Sequence, residues 1–187
     1  MDAKEQEEFR EFVSMRSTAL LRLAVLLTGG DRHAAEDLLQ TALMKSYGRW
    51  RRIEQPEAYV RQVMYRHQVS RWRLRLPHAE TVVAAPPEPD GGHRPDTARE
   101  ADERLLVRQA LTKLTPRQRA VLVLRYCEDM PERDVAGVLG CSVGTVRSTA
   151  FKALEKLRRL APELSPFAGS ESLRRSVTGH SPEGARP

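Results

Sequence analysis

Aromatic side chains make up only 5% of this chain, and the β-branched and aromatic runs that build strands are correspondingly scarce. Ala, Leu, Arg and Glu are abundant instead, a composition that favours an all-α protein. Cysteine is nearly absent. Cys127 and Cys141 stand alone, in no CxxC pair and no Cys/His ligand set. A disulfide framework and a structural zinc site are therefore not expected, and both thiols read as small core residues of a protein in the reducing cytoplasm. No apolar run approaches the length of a membrane span, and the opening "MDAKEQEEFREF" is acidic with no apolar core, unlike a signal peptide. There is no glycine-rich nucleotide loop, no nucleophile motif and no metal-ligand spacing. The expectation is a protein that is not an enzyme and needs no cofactor or metal.

What is abundant is positive charge, unevenly placed. The net charge of the 187 residues is +6. Residues 51–76 hold seven Arg against two acids, and residues 143–160 hold five basic residues against one acid. Residues 77–104 reverse the sign, with seven acids against three Arg. Two separate basic blocks suit two contacts with a polyanion, nucleic acid first among them; two solvated helix faces would give the same count.

Apolar periodicity divides the chain further. Phe9, Phe12, Val13, Leu20, Leu23, Ala24 and Leu27 recur at spacings of three and four, predicting a helix over 5–28 that Gly29-Gly30 ends. Asp31 is placed to cap a second helix over 33–50, whose packing side carries Ala35, Leu38, Leu39, Ala42, Leu43, Ser46, Tyr47 and Trp50. After a short basic loop, Pro56 opens a third helix reaching about residue 75. Residues 77–100 lose all periodicity and gather Pro, Gly and acids, as a flexible linker does. Helical pattern returns near 98–113. Thr115, Pro116 and Gln118 form a capping box for a helix to about Tyr126, Pro131 starts a short helix ending at Gly140, and Ser142 caps a last one over 143–160. The tail over 161–187 is polar, rich in Ser, Gly and Pro, and reads as disordered. The predicted fold is two small helical domains, 5–76 and 101–160, joined by the acidic Pro-rich linker.

In the second domain, two helices joined by "GCS" read as a helix-turn-helix. Gly140 takes the positive φ of the turn, and Ser142 serves the free N–H groups that follow. On a wheel of about 100° per residue, Val146, Ala150, Ala153, Leu154, Leu157 and Leu160 share one side. Arg147, Ser148, Phe151, Lys152, Glu155, Arg158 and Arg159 share the other. An outward phenylalanine among cations suits a major groove, where it can meet a thymine methyl while Arg147 pairs with a guanine edge or a phosphate and Ser148 and Lys152 reach base or backbone atoms. Docking of Phe151 on a neighbouring helix is the alternative. The third helix is also two-sided. Val60, Val63, Met64, His67 and Leu74 form one stripe; Tyr65, Val69 and Trp72, flanked by Arg61, Arg66 and Arg73, form another. The second stripe suits stacking on unpaired bases, or burial of the helix on both sides. His67 reads as a packing residue.

The segments "AAEDLLQTALMKSYGRW", "PEAYVRQVMYRHQVSRWRLR" and "LTKLTPRQRAVLVLRYCEDMPERDVAGVLGCSVGTVRSTAFKALEKLR", in that order with an acidic linker between, resemble the extracytoplasmic-function sigma factors of bacterial RNA polymerase, of the sigma-70 superfamily and its actinobacterial SigE-like branch. The resemblance implies a promoter-recognition subunit that binds core RNA polymerase through the β′ clamp helices and the β flap, and binds promoter DNA at its −10 and −35 elements. Asp37, Leu38, Gln40 and Thr41 would lie on the polymerase-binding helix. Arg61, Tyr65, Arg66, Val69 and Arg73, with the loop 51–55, would face the melted −10 strand. Arg147, Ser148, Phe151 and Lys152 would read the −35 element. An anti-sigma factor is a common partner in the family. The chain departs from the family pattern at Arg66, where many members carry Asn, and at Thr149, where many carry a cation. An autonomous helix-turn-helix regulator, or a module whose basic faces bind acidic proteins, is the competing reading.

Overall fold

The computed structural model describes residues 2–75 and 109–160, with the backbone alone for 72–75. The chain divides into two compact units, residues 1–85 and 86–187. The predicted linker and tail lie outside the described residues. Every regular element among the described residues is helical.

The first unit is three helices, α1 (Ala3–Thr28), α2 (Arg32–Tyr47) and α3 (Pro56–Arg75). Asp2 and Glu5 close a reciprocal capping box on α1, and Gly29 at φ 77° ends it in the left-handed region that L side chains avoid. Asp31 accepts from the Ala34 N–H at 2.9 Å, the cap expected for α2. That helix stops at Tyr47, short of the predicted residue 50, and Trp50–Arg52 form a 3₁₀ turn. The aromatics explain the stop. Trp50 turns back to meet Phe9 edge-on, with ring centroids 4.9 Å apart, and Phe9 also meets Tyr47 at 5.1 Å. α1, α2 and α3 each pack on the other two around Leu20, Leu27, Leu38, Val60 and Met64.

In the second unit, residues 109–112 are the described end of a helix. α4 (Pro116–Leu122) follows behind the Thr115–Gln118 capping box and runs into one π turn, Val123–Cys127. No residue pattern announces that wider turn. α5 (Glu132–Leu139) and α6 (Val143–Leu160) then form the helix-turn-helix. Gly140 sits at φ 60° and ψ 50°, and Ser142 Oγ accepts from the Thr145 N–H at 3.1 Å. Val135, Leu139, Val146, Ala153 and Leu157 are buried between α4, α5 and α6. Leu160 departs from the wheel: it is 47% exposed, although Leu157 one turn earlier is buried.

Candidate nucleic-acid interface

The outward face of α6 is built as the wheel places it. Arg147, Ser148, Phe151 and Lys152 are all exposed, and Phe151 is 61% accessible, far above Val146, Ala150, Ala153 and Leu157 of the apolar stripe behind it. The cause is local. Val146, Ala150 and Ala153 face the unit's core, which turns the intervening residues to solvent. Ser148 Oγ donates back to the Thr145 carbonyl at 3.1 Å. Arg147 is tied across the helix-turn-helix: its Nε donates to Glu132 Oε2 at 2.6 Å, from α6 to the first turn of α5. Sequence reasoning missed Glu132, which lies 15 residues from Arg147 with no periodicity to join them.

The third helix divides its candidates. Tyr65 and Val69 are 5% and 7% exposed, so both belong to the core and do not present themselves to a strand. α3 packs on α1 and α2 together, so Tyr65 and Val69 of its second stripe are buried as Val60 and Met64 of its first are, the outcome left open by the sequence. Arg61 is half-buried and paired within its own helix, Nη2 to Glu57 Oε1 at 2.7 Å, while Arg16 of α1 reaches the other oxygen at 3.3 Å. Arg66 is exposed, on a face at i+4 spacing with Ala58, Gln62 and Ser70. Arg73 lies among the residues whose side chains are not described. The adjoining basic turn is open, with Arg51, Arg52, Glu54 and Gln55 exposed. His67 is half-buried; burial first, then the charges of Lys45 and Arg71, hold its imidazole below the ordinary histidine range.

On α2 the candidates also separate. Asp37 and Gln40 are exposed and Thr41 is half-buried, but Leu38 is fully buried and is a core residue. One residue was missed. Met44 is 69% exposed and continues the Asp37, Gln40, Thr41 face by one turn. Methionine's flexible, polarizable side chain suits an adaptable protein contact. Its place beyond the packing stripe was the available signal. Among the described residues no cluster of His, Cys, Asp or Glu suits a metal ion, and no helix is long and apolar enough to cross a membrane.

A three-helix unit followed by a helix-turn-helix with a cationic outer face is the architecture of a nucleic-acid-binding protein. A family model described as "Sigma-70, region 4" matches residues 104–157. The RNA polymerase sigma-E factor of Streptomyces coelicolor is 41% identical over 154 residues, which is 81% of this chain and 84% of that protein. The ECF RNA polymerase sigma factor SigL of Mycobacterium tuberculosis is 28% identical over 175 residues, 87% of this chain and 93% of that one. A solved structure of the sigma factor RpoE from Bartonella quintana, in complex with the anti-sigma factor NepR, shares the fold with a TM-score of 0.58 at 23% identity, covering 83% of this chain and 98% of that chain. The chain belongs to the extracytoplasmic-function sigma factors.

Proposed function

We propose that this chain, as a sigma factor, joins core RNA polymerase and directs it to promoters by reading a −35 element as duplex with α6 and a −10 element as melted strand with the first unit. The observation that carries the reading is the shared exposure of Arg147, Ser148, Phe151 and Lys152 on one face of α6. An arginine fork, a hydroxyl, an apolar ring and an ammonium are the set needed for a guanine edge, a phosphate and a thymine methyl in a major groove. The face of exposed Asp37, Gln40 and Met44, with half-buried Thr41 among them, docks on the polymerase clamp. Arg66 and the basic turn 51–55 meet the −10 strand, with Tyr65 and Val69 holding their helix in place from beneath. Arg61 contributes to that helix through Glu57 more than to DNA. The chain makes and breaks no covalent bond, works in the cytoplasm, and is open to control by an anti-sigma protein.

Transcription tests it. Purified chain is mixed with bacterial core polymerase and a promoter library, and transcripts are sequenced. Specific starts are expected only when both proteins are present. Sequence-specific binding by the chain alone, with no transcription on adding core, would favour an autonomous regulator. Phe151→Ala with Arg147→Ala is expected to abolish −35-dependent starts while leaving core binding intact.

A further inference from the structure

Glu132 is paired with Arg147 of the proposed reading face, and its two oxygens do different things. Oε2 accepts from Arg147 Nε at 2.6 Å. Oε1 lies 4.0 Å from Arg125 Nη2. Arg125 in turn donates through Nη1 to the Met130 carbonyl at 2.6 Å, just before α5 begins. A line of contacts thus runs from the backbone of the turn before α5, through Arg125 and Glu132, to Arg147. The Glu132 side chain is 28% exposed and the Arg147 side chain 69%. The acid is held in the fold and the guanidinium stands out from it.

The atom that Glu132 engages matters. A guanidinium reads guanine with two parallel N–H groups, and a carboxylate on Nε leaves the paired Nη groups for the base. Among the described residues neither Nη of Arg147 has a hydrogen-bond partner. A long arginine with several rotatable bonds loses much conformational freedom when it is fixed on a base edge. A carboxylate that already fixes it removes part of that loss. The same negative charge disfavours sliding of Arg147 onto a phosphate. We infer that Glu132 is a positioning residue for promoter specificity: by holding Arg147 Nε it aims the arginine's fork at a guanine of the upstream element. This rests on the −35 role proposed for α6.

The test uses the full chain assembled with core polymerase on a promoter library randomised across the upstream element, read by sequencing the transcripts. Arg147→Ala is expected to erase a guanine preference at one position. Glu132→Ala is expected to lower that preference about tenfold, leave preferences at other positions in place, and leave transcription from mismatched templates equal or higher. Glu132→Ala added to Arg147→Ala is expected to change nothing further at that position. Glu132→Gln keeps an acceptor without the charge; it is expected to fall between wild type and Glu132→Ala, and it carries the test if the alanine variant does not fold. Loss spread evenly over all positions would make Glu132 merely structural. A sharpened guanine preference would make it a competitor of DNA for Arg147. Either overturns the inference, as does an unchanged preference in both Glu132 variants while Arg147→Ala erases it. If Arg147→Ala itself shifts no position, the fault lies earlier, in the −35 role of Arg147, and both fall together.

Discussion

Arg119 Nε donates to the main-chain carbonyl of Leu111 at 3.0 Å, and its Nη2 donates to that of Leu114 at the same distance. The carbonyls that close a helix have no partner within it. Here a planar cation from α4 adds a bond to Leu111 at the end of the 109–112 helix, covers the Leu114 carbonyl just beyond it, and fastens that turn to α4. Arg119 is 7% exposed. Burial lowers its pKa to about 10, which leaves it charged at neutral pH. Arg119→Ala is expected to cost about 3 kcal/mol, the scale of stranding the buried Leu114 carbonyl and losing a charged hydrogen bond to Leu111, whose carbonyl keeps the Leu114 N–H at 3.2 Å. Arg119→Lys should recover only part, since an ammonium lacks the fork. Hydrogen exchange of the α4 amides in the full chain measures both, with protection falling about a hundredfold in the alanine variant.

Arg119 also marks where the sequence stops being informative. Its partners are carbonyls, which every residue carries, so no pattern of residue types announces them. The helix starts, the Asp31, Thr115 and Ser142 caps, and the outward turn of Phe151 were legible because each depends on neighbours within one or two turns. Tyr65 and Val69 were not. A helix between two others has two buried faces, and sequence shows the stripes without saying what covers them. Leu38 lies inside the α2 motif proposed to bind polymerase, yet its own side chain belongs to the core. The Arg147–Glu132 pair crosses the turn between two helices and exists only once they are packed.

Leu38 and Met44 share α2 and should fail differently. Leu38 is fully buried, and Leu38→Ala is expected to destabilise the first unit by about 3 kcal/mol. Both tryptophans, Trp50 and Trp72, lie within residues 1–85, so tryptophan fluorescence during urea unfolding follows that unit selectively. Met44→Asp is expected to leave the urea midpoint unchanged and to weaken binding to core polymerase by about tenfold or more, as loss of an apolar interface anchor does. Equal loss of midpoint in both variants would remove Met44 from the docking face.

Gly140 ends α5 in the left-handed region, φ 60° and ψ 50°, where its N–H bonds to the Ala136 carbonyl. Gly140→Ala puts a Cβ against the neighbouring carbonyl and is expected to cost about 1 kcal/mol. Ser142→Ala removes the acceptor for the Thr145 N–H, for about 1 kcal/mol more. The two act on opposite sides of one turn. Exchange protection in α5 and α6 is expected to fall in each variant, while protection in α1–α3 stays as it was. Loss of −35-dependent transcription should follow the protection lost in α6.

His67 gives the first unit a pH dependence whose sign follows from its surroundings. Burial, with Lys45 and Arg71 adding repulsion, holds the folded-state pKa below the ordinary value of 6.5. Above 6.5 the imidazole is neutral in both folded and unfolded chains, and folding gains the full benefit of keeping it so. As pH falls below 6.5 the unfolded chain takes up a proton that the folded chain resists, and stability declines until the folded value is passed. The effect is modest because the ring is only half-buried and solvent screens the two cations. The urea midpoint read by tryptophan fluorescence is expected to be lower at pH 5.5 than at pH 7.5. His67→Gln keeps a polar side chain of similar reach with nothing to titrate, and is expected to flatten part of that fall. An identical fall in His67→Gln would assign the pH dependence to other groups.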